Sequence, residues 1–198
     1  MKRLKKLLLL SIIFTFVFSF NLFAESPSLD LVGKSAVSFD METGEIIYTK
    51  NIDEKVYPAS ITKLMTAILL AENTSKHDML TYTKIAYAQP PYSYGKNVQA
   101  VPLGDEMKAE DVMDTLLLYS GNDIAYMVAD NVANTVPEFV DMMNKRAQEL
   151  GLKSTNFVTP NGIDDDTTEH LTTAYDLIKL TKAAYENEWV RESMAKQT

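Results

Sequence analysis

The sequence predicts an α+β fold in which a short β-hairpin precedes a block of helices. Two short β-prone runs lie between residues 35 and 48, whereas the longer apolar runs after Ser60 repeat with the period of a helix. About two strands are thus expected against about five or six helices. Because a two-stranded hairpin is only marginally stable alone in water, it must pack on something. The count therefore indicates either an unusual helical domain or an α+β domain cut short before the rest of its sheet.

The hairpin is predicted from composition and from its turn. Ser35–Phe39 and Ile46–Tyr48 are short runs containing β-branched and aromatic residues. Asp40 and Gly44 lie between them and are typical turn residues. The two strands should therefore pair directly with each other.

The helices are predicted from apolar periodicity and from their ends. Pro58 stands two residues before Ser60, where the first periodic run begins. Gly151 is placed to end a helix, and Thr172 or Thr173 is placed to begin the last one. A proline- and glycine-containing stretch at 88–104 is expected to be a loop. The predicted helices span residues 60–73, 108–119, 123–134, 137–150 and 173 to about 186.

The amino terminus has the features of a secretory signal peptide. Four basic residues within the first six positions precede an uncharged run from Leu7 to Phe20, and Ala24 is a small residue suited to cleavage. The run is about 14 residues long, which is short for a bilayer span, so an uncleaved anchor is the weaker alternative. We therefore expect residues 1–24 to be removed and residues 25–198 to act outside the cytoplasm.

Composition excludes several classes of function. Removing residues 1–24 would take away four positive charges and move the formal net charge from −8 to about −12, so nucleic acid is not an expected partner. The chain has no cysteine, which excludes thiol catalysis and thiolate metal sites. No cofactor is predicted. Asp164–Asp166 with Glu169 lacks the ligand spacing and central glycine of a calcium loop, so we interpret it as a solvated loop.

The main candidate for catalysis is the pair Ser60 and Lys63, at the start of the first predicted helix. Residues three apart on a helix share one face, so the lysine amine could reach the serine hydroxyl. A serine hydroxyl is nearly unreactive at neutral pH and needs a base to take its proton. The alternative is a serine that caps a helix, followed by a solvated lysine.

The S-x-x-K spacing is not specific by itself, because the chain contains three examples and about one is expected by chance from its serine and lysine content. Ser93 with Lys96 lies in the predicted loop, and Ser193 with Lys196 lies at the end of the chain. Only Ser60 begins a periodic apolar run.

A second candidate group lies between two predicted helices, at Tyr119–Asn122. Ser120 could relay a proton, and Asn122 could exchange hydrogen bonds with an amide substrate. The alternative is an ordinary turn at Gly121 with an N-cap at Asn122.

Together these groups resemble a known family. S-x-x-K followed by S-x-N is the signature of serine penicillin-recognising enzymes. Asp40–Tyr48, Pro58–Thr66 and Leu118–Asp123 are similar to the D-alanyl-D-alanine carboxypeptidases, the low-molecular-mass penicillin-binding proteins. Phe157–Gly162 and His170–Leu177 resemble later landmarks of that family. The resemblance implies the serine β-lactamase/penicillin-binding transpeptidase-like fold.

The resemblance also implies roles for four residues. Ser60 would be the acylated nucleophile, Lys63 its base, Ser120 a proton donor toward the leaving D-alanine, and Asn122 a ligand of the substrate amide. The Ser60 N–H would be one oxyanion donor. The implied partners are peptidoglycan stem peptides ending in D-Ala-D-Ala and β-lactam antibiotics, met at the outer face of the cytoplasmic membrane.

The sequence departs from the family pattern because no K-T-G triad occurs in it. In the family, the strand carrying that triad supplies the second oxyanion donor, and losing one donor costs about 10² to 10³ in rate. We therefore expect a chain truncated before this motif, without the family's later membrane anchor, and inactive or strongly impaired by itself.

Two other interpretations stay open at this stage. A non-catalytic remnant that binds penicillin or peptidoglycan would fit the missing motif. A class A β-lactamase is less suited, because Gly121 stands where that class has aspartate. Other hydrolase designs lack their G-x-S-x-G elbow, and both His77 and His170 are expected to be structural.

Overall fold

The computed structural model describes residues 29–90 and 101–196. Residues from Gly33 onward belong to one compact unit, and residues 29–32 fall outside it. The predicted signal peptide at 1–24 and the pair Ser93 and Lys96 lie outside the described residues. No helix within the described ranges is long and apolar enough to cross a membrane.

The unit contains two small antiparallel sheets and a block of helices. The strands are β1 (Ala36–Phe39), β2 (Ile46–Lys50), β3 (Met79–Thr81) and β4 (Glu106–Lys108). The helices are α1 (Lys63–Asn73), α2 (Lys84–Tyr87), α3 (Ala109–Leu118), α4 (Asn122–Val132), α5 (Val136–Glu149), α6 (Ala174–Glu186) and α7 (Glu188–Met194). A 3₁₀ turn, Ala59–Thr62, leads directly into α1.

The predicted hairpin is present. β1 pairs with β2, with Ala36 opposite Lys50, and the register shifts after Ser38. The Asp40 carboxylate accepts hydrogen bonds from Thr43 N at 2.6 Å and from Thr43 Oγ1 at 2.8 Å, which closes the turn. These contacts explain why a polar, glycine-containing segment connects the two strands so tightly.

Helix α1 is the centre of the helical block. It contacts α3, α4, α5, α6 and α7, and seven of its eleven residues are buried, Lys63 among them. A helix that is apolar nearly all round is one that other elements enclose. This position makes the amino end of α1 a rigid support for the turn that precedes it.

The predicted helix ends agree with the structure at several points. Thr173 caps α6, because its hydroxyl accepts a hydrogen bond from Asp176 N at 3.1 Å. Gly151 follows α5 with a φ of +70°, a conformation that glycine adopts without a steric penalty. One predicted boundary is wrong: Ser60 lies in the 3₁₀ turn, and α1 begins only at Lys63.

Four elements were not predicted from the sequence. β3 and β4 pair across an intervening segment of more than twenty residues, and each has three residues, too few for an alternating pattern. α2 is a single four-residue turn. α7 follows α6 after one residue, Asn187, whose side chain accepts a hydrogen bond from Val190 N and so begins a new helix.

Candidate active site

The turn that carries Ser60 has an unusual backbone. Ala59 has a φ of +46°, which is uncommon for a residue with a side chain. Ser60 itself is exposed, whereas Thr62 and Lys63 are buried. In a 3₁₀ turn, positions three apart eclipse each other, so Ser60 and Lys63 lie on the same line. Because no side-chain cap is formed here, Ser60 is not a helix cap.

Gly162 lies directly against this turn. Its φ is +87°, and a Cβ atom at this position would overlap the Ala59 carbonyl oxygen. The segment around Pro160 is fastened to α1 as well, since Thr66 Oγ1 donates to the Pro160 carbonyl at 2.6 Å. The loop of Phe157–Ile163 therefore supports the serine turn from beneath.

Lys63 is enclosed by three oxygen atoms. The residue is only 2% exposed. Its Nζ lies 3.1 Å from Ser60 Oγ, 2.9 Å from Asn122 Oδ1 and 2.9 Å from the Asn161 carbonyl oxygen. Burial lowers the pKa of Lys63 from 10.5 to about 8. A considerable fraction of this amine can thus be neutral near physiological pH.

The partners of Lys63 decide where a neutral amine would direct its lone pair. The Asn161 carbonyl can only accept a hydrogen bond, and so can Asn122 Oδ1. A neutral amine has two N–H groups, which these two oxygens satisfy. The third direction faces the Ser60 hydroxyl, the only one of the three groups that carries a proton. The arrangement is therefore suited to removing a proton from Ser60.

Asn122 and Ser120 come from the short connection between α3 and α4. Asn122 is the first residue of α4, and Gly121 precedes it as the N-cap. Ser120 has a φ of +56°. It lines a cleft of about 320 Å³ together with Ser60 and Lys63. The structure thus brings all four residues singled out in the sequence to one site.

A buried pair holds the start of α4. Asp123 and Tyr82 are both fully buried, and Tyr82 Oη donates to Asp123 Oδ2 at 2.6 Å. Burial, followed by the hydrogen bond to Asp123, raises the pKa of Tyr82. Ile124 N also donates to Asp123 Oδ1 at 2.9 Å. The pair fixes the backbone beside Asn122, and sequence reasoning had not identified it.

Sequence reasoning also missed Asn161 as part of the site. Pro160–Gly162 has the composition of a turn, but the contact is made by the Asn161 main-chain carbonyl, which no side-chain motif reveals. The only available signal was the turn itself.

His77 is exposed, whereas His170 is fully buried.

The remaining candidates are separate from this site. Ser193 Oγ and Lys196 Nζ each donate to Asp114 at 2.6 Å. Asp165 and Asp166 are exposed. Within the part of the chain that the structure describes, no group of three or more His, Cys, Asp or Glu side chains could hold a metal ion.

Comparison with known proteins identifies the family of the chain. The family model described as D-alanyl-D-alanine carboxypeptidase matches residues 21–198. The chain belongs to the D-alanyl-D-alanine carboxypeptidase family. It is 34% identical over 187 residues to the D-alanyl-D-alanine carboxypeptidase DacF of Bacillus subtilis, covering 92% of this chain and 47% of that protein. The chain spans about half the length of the curated relatives it matches or less.

Solved structures of this family have the same fold. The carboxypeptidase DacD of Francisella tularensis superposes with a TM-score of 0.75 at 28% identity, covering 85% of this chain and 40% of that one. Penicillin-binding protein D2 of Listeria monocytogenes, in its ampicillin-bound form, gives a TM-score of 0.71 at 28% identity, with 82% and 65% covered. The predicted fold, a hairpin and helical block of the penicillin-binding protein type, is confirmed.

Proposed function

We propose that this chain provides the serine nucleophile of a D-alanyl-D-alanine carboxypeptidase, which removes the terminal D-alanine from peptidoglycan pentapeptides. Family membership supports the reaction class. The observation that carries the proposal is the buried Lys63 amine, with two carbonyl oxygens holding its N–H groups and the Ser60 hydroxyl in the remaining direction.

Acylation begins with attack of Ser60 Oγ on the carbonyl carbon of the penultimate D-alanine. Lys63 takes the hydroxyl proton as the oxygen–carbon bond forms, and its lowered pKa suits this task at neutral pH. The negative charge moves to the carbonyl oxygen. The Ser60 N–H, in the turn that enters α1, is one donor to that oxyanion.

The carbon–nitrogen bond then breaks and D-alanine leaves as an amine. Ser120, which lines the same cleft, relays the proton that Lys63 took from Ser60 to the leaving nitrogen, and Lys63 is neutral again. Asn122 holds the substrate amide. Because its Oδ1 faces Lys63 Nζ, its Nδ2 group can donate to a substrate carbonyl.

Water completes the cycle. It attacks the ester carbon and gives a proton to the neutral Lys63 amine, which returns that proton to Ser60 Oγ as the ester bond breaks and the acid product leaves. A β-lactam would acylate Ser60 by opening its own ring, as the similarity to a protein crystallised with ampicillin suggests. We further propose that the protein is exported by residues 1–24 and acts at the outer face of the cytoplasmic membrane.

Covalent labelling tests the proposal. The chain is incubated with a penicillin and the mass of the intact protein is measured. The mass gives the number of penicillin molecules bound per chain, and it detects the adduct even when the reaction is slow. We expect one adduct, located on Ser60 by peptide mapping and absent in Ser60→Ala. Ser193→Ala is the matched control, since it removes the hydroxyl of another S-x-x-K serine, and it should label normally. An adduct that persists in Ser60→Ala would contradict the assignment, and rapid turnover of the adduct would favour a β-lactamase.

A further inference from the structure

The geometry points to His170 as a positioning residue that fastens the turn carrying the nucleophile through the hydroxyl of Thr62. This inference rests on the proposed function of Ser60 and Lys63. It goes beyond the structural role expected for this histidine, because it assigns the ring to the alignment of two catalytic groups.

The contacts of the imidazole define its protonation. His170 is fully buried. Val158 N lies 2.9 Å from its Nδ1 and Thr159 N lies 3.3 Å from the same atom, and both are backbone N–H donors. Nδ1 must therefore accept. In a neutral imidazole the hydrogen is then on Nε2, which donates to Thr62 Oγ1 at 2.8 Å.

Thr62 is the residue through which this contact acts. It is fully buried and stands between Ser60 and Lys63 in the chain. Its hydroxyl also lies close to Gly162, which packs against the Ala59 carbonyl. The hydrogen bond to His170 thus fixes the turn at the one buried side chain between nucleophile and base.

The same ring is tied to the loop that contacts the base. Its Nδ1 holds the backbone at Val158 and Thr159, and two residues further on the Asn161 carbonyl accepts from Lys63 Nζ. One imidazole therefore contacts both the turn that carries Thr62 and the loop that leads to Asn161. The distance between these two segments determines how closely the Lys63 amine is enclosed. A displacement of either segment would admit water beside Lys63.

The ring can do this only in its neutral form. A protonated imidazole would direct an Nδ1–H toward two backbone N–H groups, which cannot accept it. Burial lowers the pKa of His170, while the nearby Asp164 carboxylate opposes that effect. The imidazole and the Phe157 ring also pack edge to face, with their centroids 5.9 Å apart. The protein thus keeps the ring neutral near pH 7.

Three substitutions in the 198-residue chain test the inference. Thr62→Val removes the hydroxyl and keeps the branched shape, and Thr62→Ser restores the hydroxyl. Thr74→Val is the matched control, because Thr74 Oγ1 donates to the Leu70 carbonyl at the far end of α1. Two quantities are measured: the rate of penicillin acylation, and the titration of Lys63 by NMR of ¹³C-labelled lysine. Thermal unfolding identifies any variant that fails to fold.

We expect Thr62→Val to acylate about tenfold more slowly, since small displacements of reacting groups have large effects on rate. Its Lys63 pKa should rise, because water reaches the amine. Thr62→Ser should restore most of both properties, and Thr74→Val should change neither. If a folded Thr62→Val keeps the wild-type Lys63 pKa, the inference is wrong.

The two measurements separate the inference from the proposed function. If wild-type chain forms no adduct, the proposed function fails, while the Lys63 titration still decides whether Thr62 and His170 position the base. If wild-type chain is acylated and Thr62→Val reacts at the same rate, only the positioning role is overturned.

Discussion

Two serine–lysine pairs within residues 29–90 and 101–196 have identical spacing and opposite shifts in the pKa of the lysine. The Lys63 amine is buried beside Ser60 and donates to two carbonyl oxygens, those of the Asn122 side chain and the Asn161 main chain. Its pKa is lowered to about 8. Ser193 and Lys196 instead share the Asp114 carboxylate, and that hydrogen bond raises the pKa of the exposed Lys196. The difference teaches that S-x-x-K identifies a base only where the fold removes water and supplies neutral acceptors.

Replacing each of the two lysines by methionine should give the largest difference in acylation rate. Lys63→Met removes the base, and we expect acylation of Ser60 to fall by about 10² to 10⁴, the usual contribution of a general base. Lys196→Met should leave the rate unchanged, because that amine donates a hydrogen bond to the Asp114 carboxylate. Stopped-flow or gel-based penicillin labelling measures both. Equal losses in the two variants would remove the distinction between the pairs.

The support beneath the Ser60 turn is tested by Gly162→Ala. The added methyl group would overlap the Ala59 carbonyl oxygen, so the turn must move. Gly104→Ala is the matched control, since Gly104 also has a positive φ, of +90°, but among the described residues no atom beyond its two chain neighbours lies within 4 Å of its Cβ position.

Gly104→Ala should lose about 1–2 kcal/mol of stability from backbone strain, and Gly162→Ala should lose more because its methyl group also overlaps the Ala59 carbonyl. Only Gly162→Ala should also lose acylation, by about tenfold or more. Urea unfolding and labelling rates measure the two effects. A Gly162→Ala protein that acylates as fast as Gly104→Ala would show that the loop does not align Ser60.

The pH dependence of acylation should follow the buried lysine. Only the neutral amine can accept the serine proton, so the rate should rise with pH, about tenfold per unit below pH 8, and level off above it. Lys196→Met should keep the same midpoint. A rate independent of pH between 6 and 9 would show that Lys63 is not the base.

The smallest effect is expected at the non-catalytic pair. Asp114→Asn weakens its bonds to Ser193 and Lys196, of which the latter is largely exposed. We expect a loss of about 1 kcal/mol in the free energy of unfolding and an unchanged acylation rate. Chemical denaturation measures the first quantity. A strong loss of acylation would link this distant pair to the active site.

Much of the fold could be predicted because it depends on local patterns. The β1–β2 hairpin follows from β-prone runs around a turn, and the long helices follow from apolar periodicity. The second sheet could not be predicted, because strands of three residues carry too little pattern and pair across a distant connection. The start of α1 was misplaced for a similar reason, since a 3₁₀ turn and the first turn of an α-helix look alike in sequence.

The candidate site likewise has a part that the sequence predicted and a part that it did not. Ser60, Lys63, Ser120 and Asn122 were found because their side chains stand at short, recurring spacings. The Asn161 carbonyl, the Tyr82–Asp123 pair and the Thr62–His170 contact were not found. Each joins residues more than forty positions apart, and one uses a main-chain atom that is the same in every residue.

The sequence by itself determined the family, the hairpin and helical order, and which residues carry reactive groups. Tertiary structure alone decided which of the two equally spaced lysines among the described residues is buried with a lowered pKa, as the proposed base requires. The physical reason is that the pKa of an amine depends on its burial and on the groups that contact it. Around Lys63 those contacts come from α4 and from the loop at Asn161, and around Lys196 from a single carboxylate on α3.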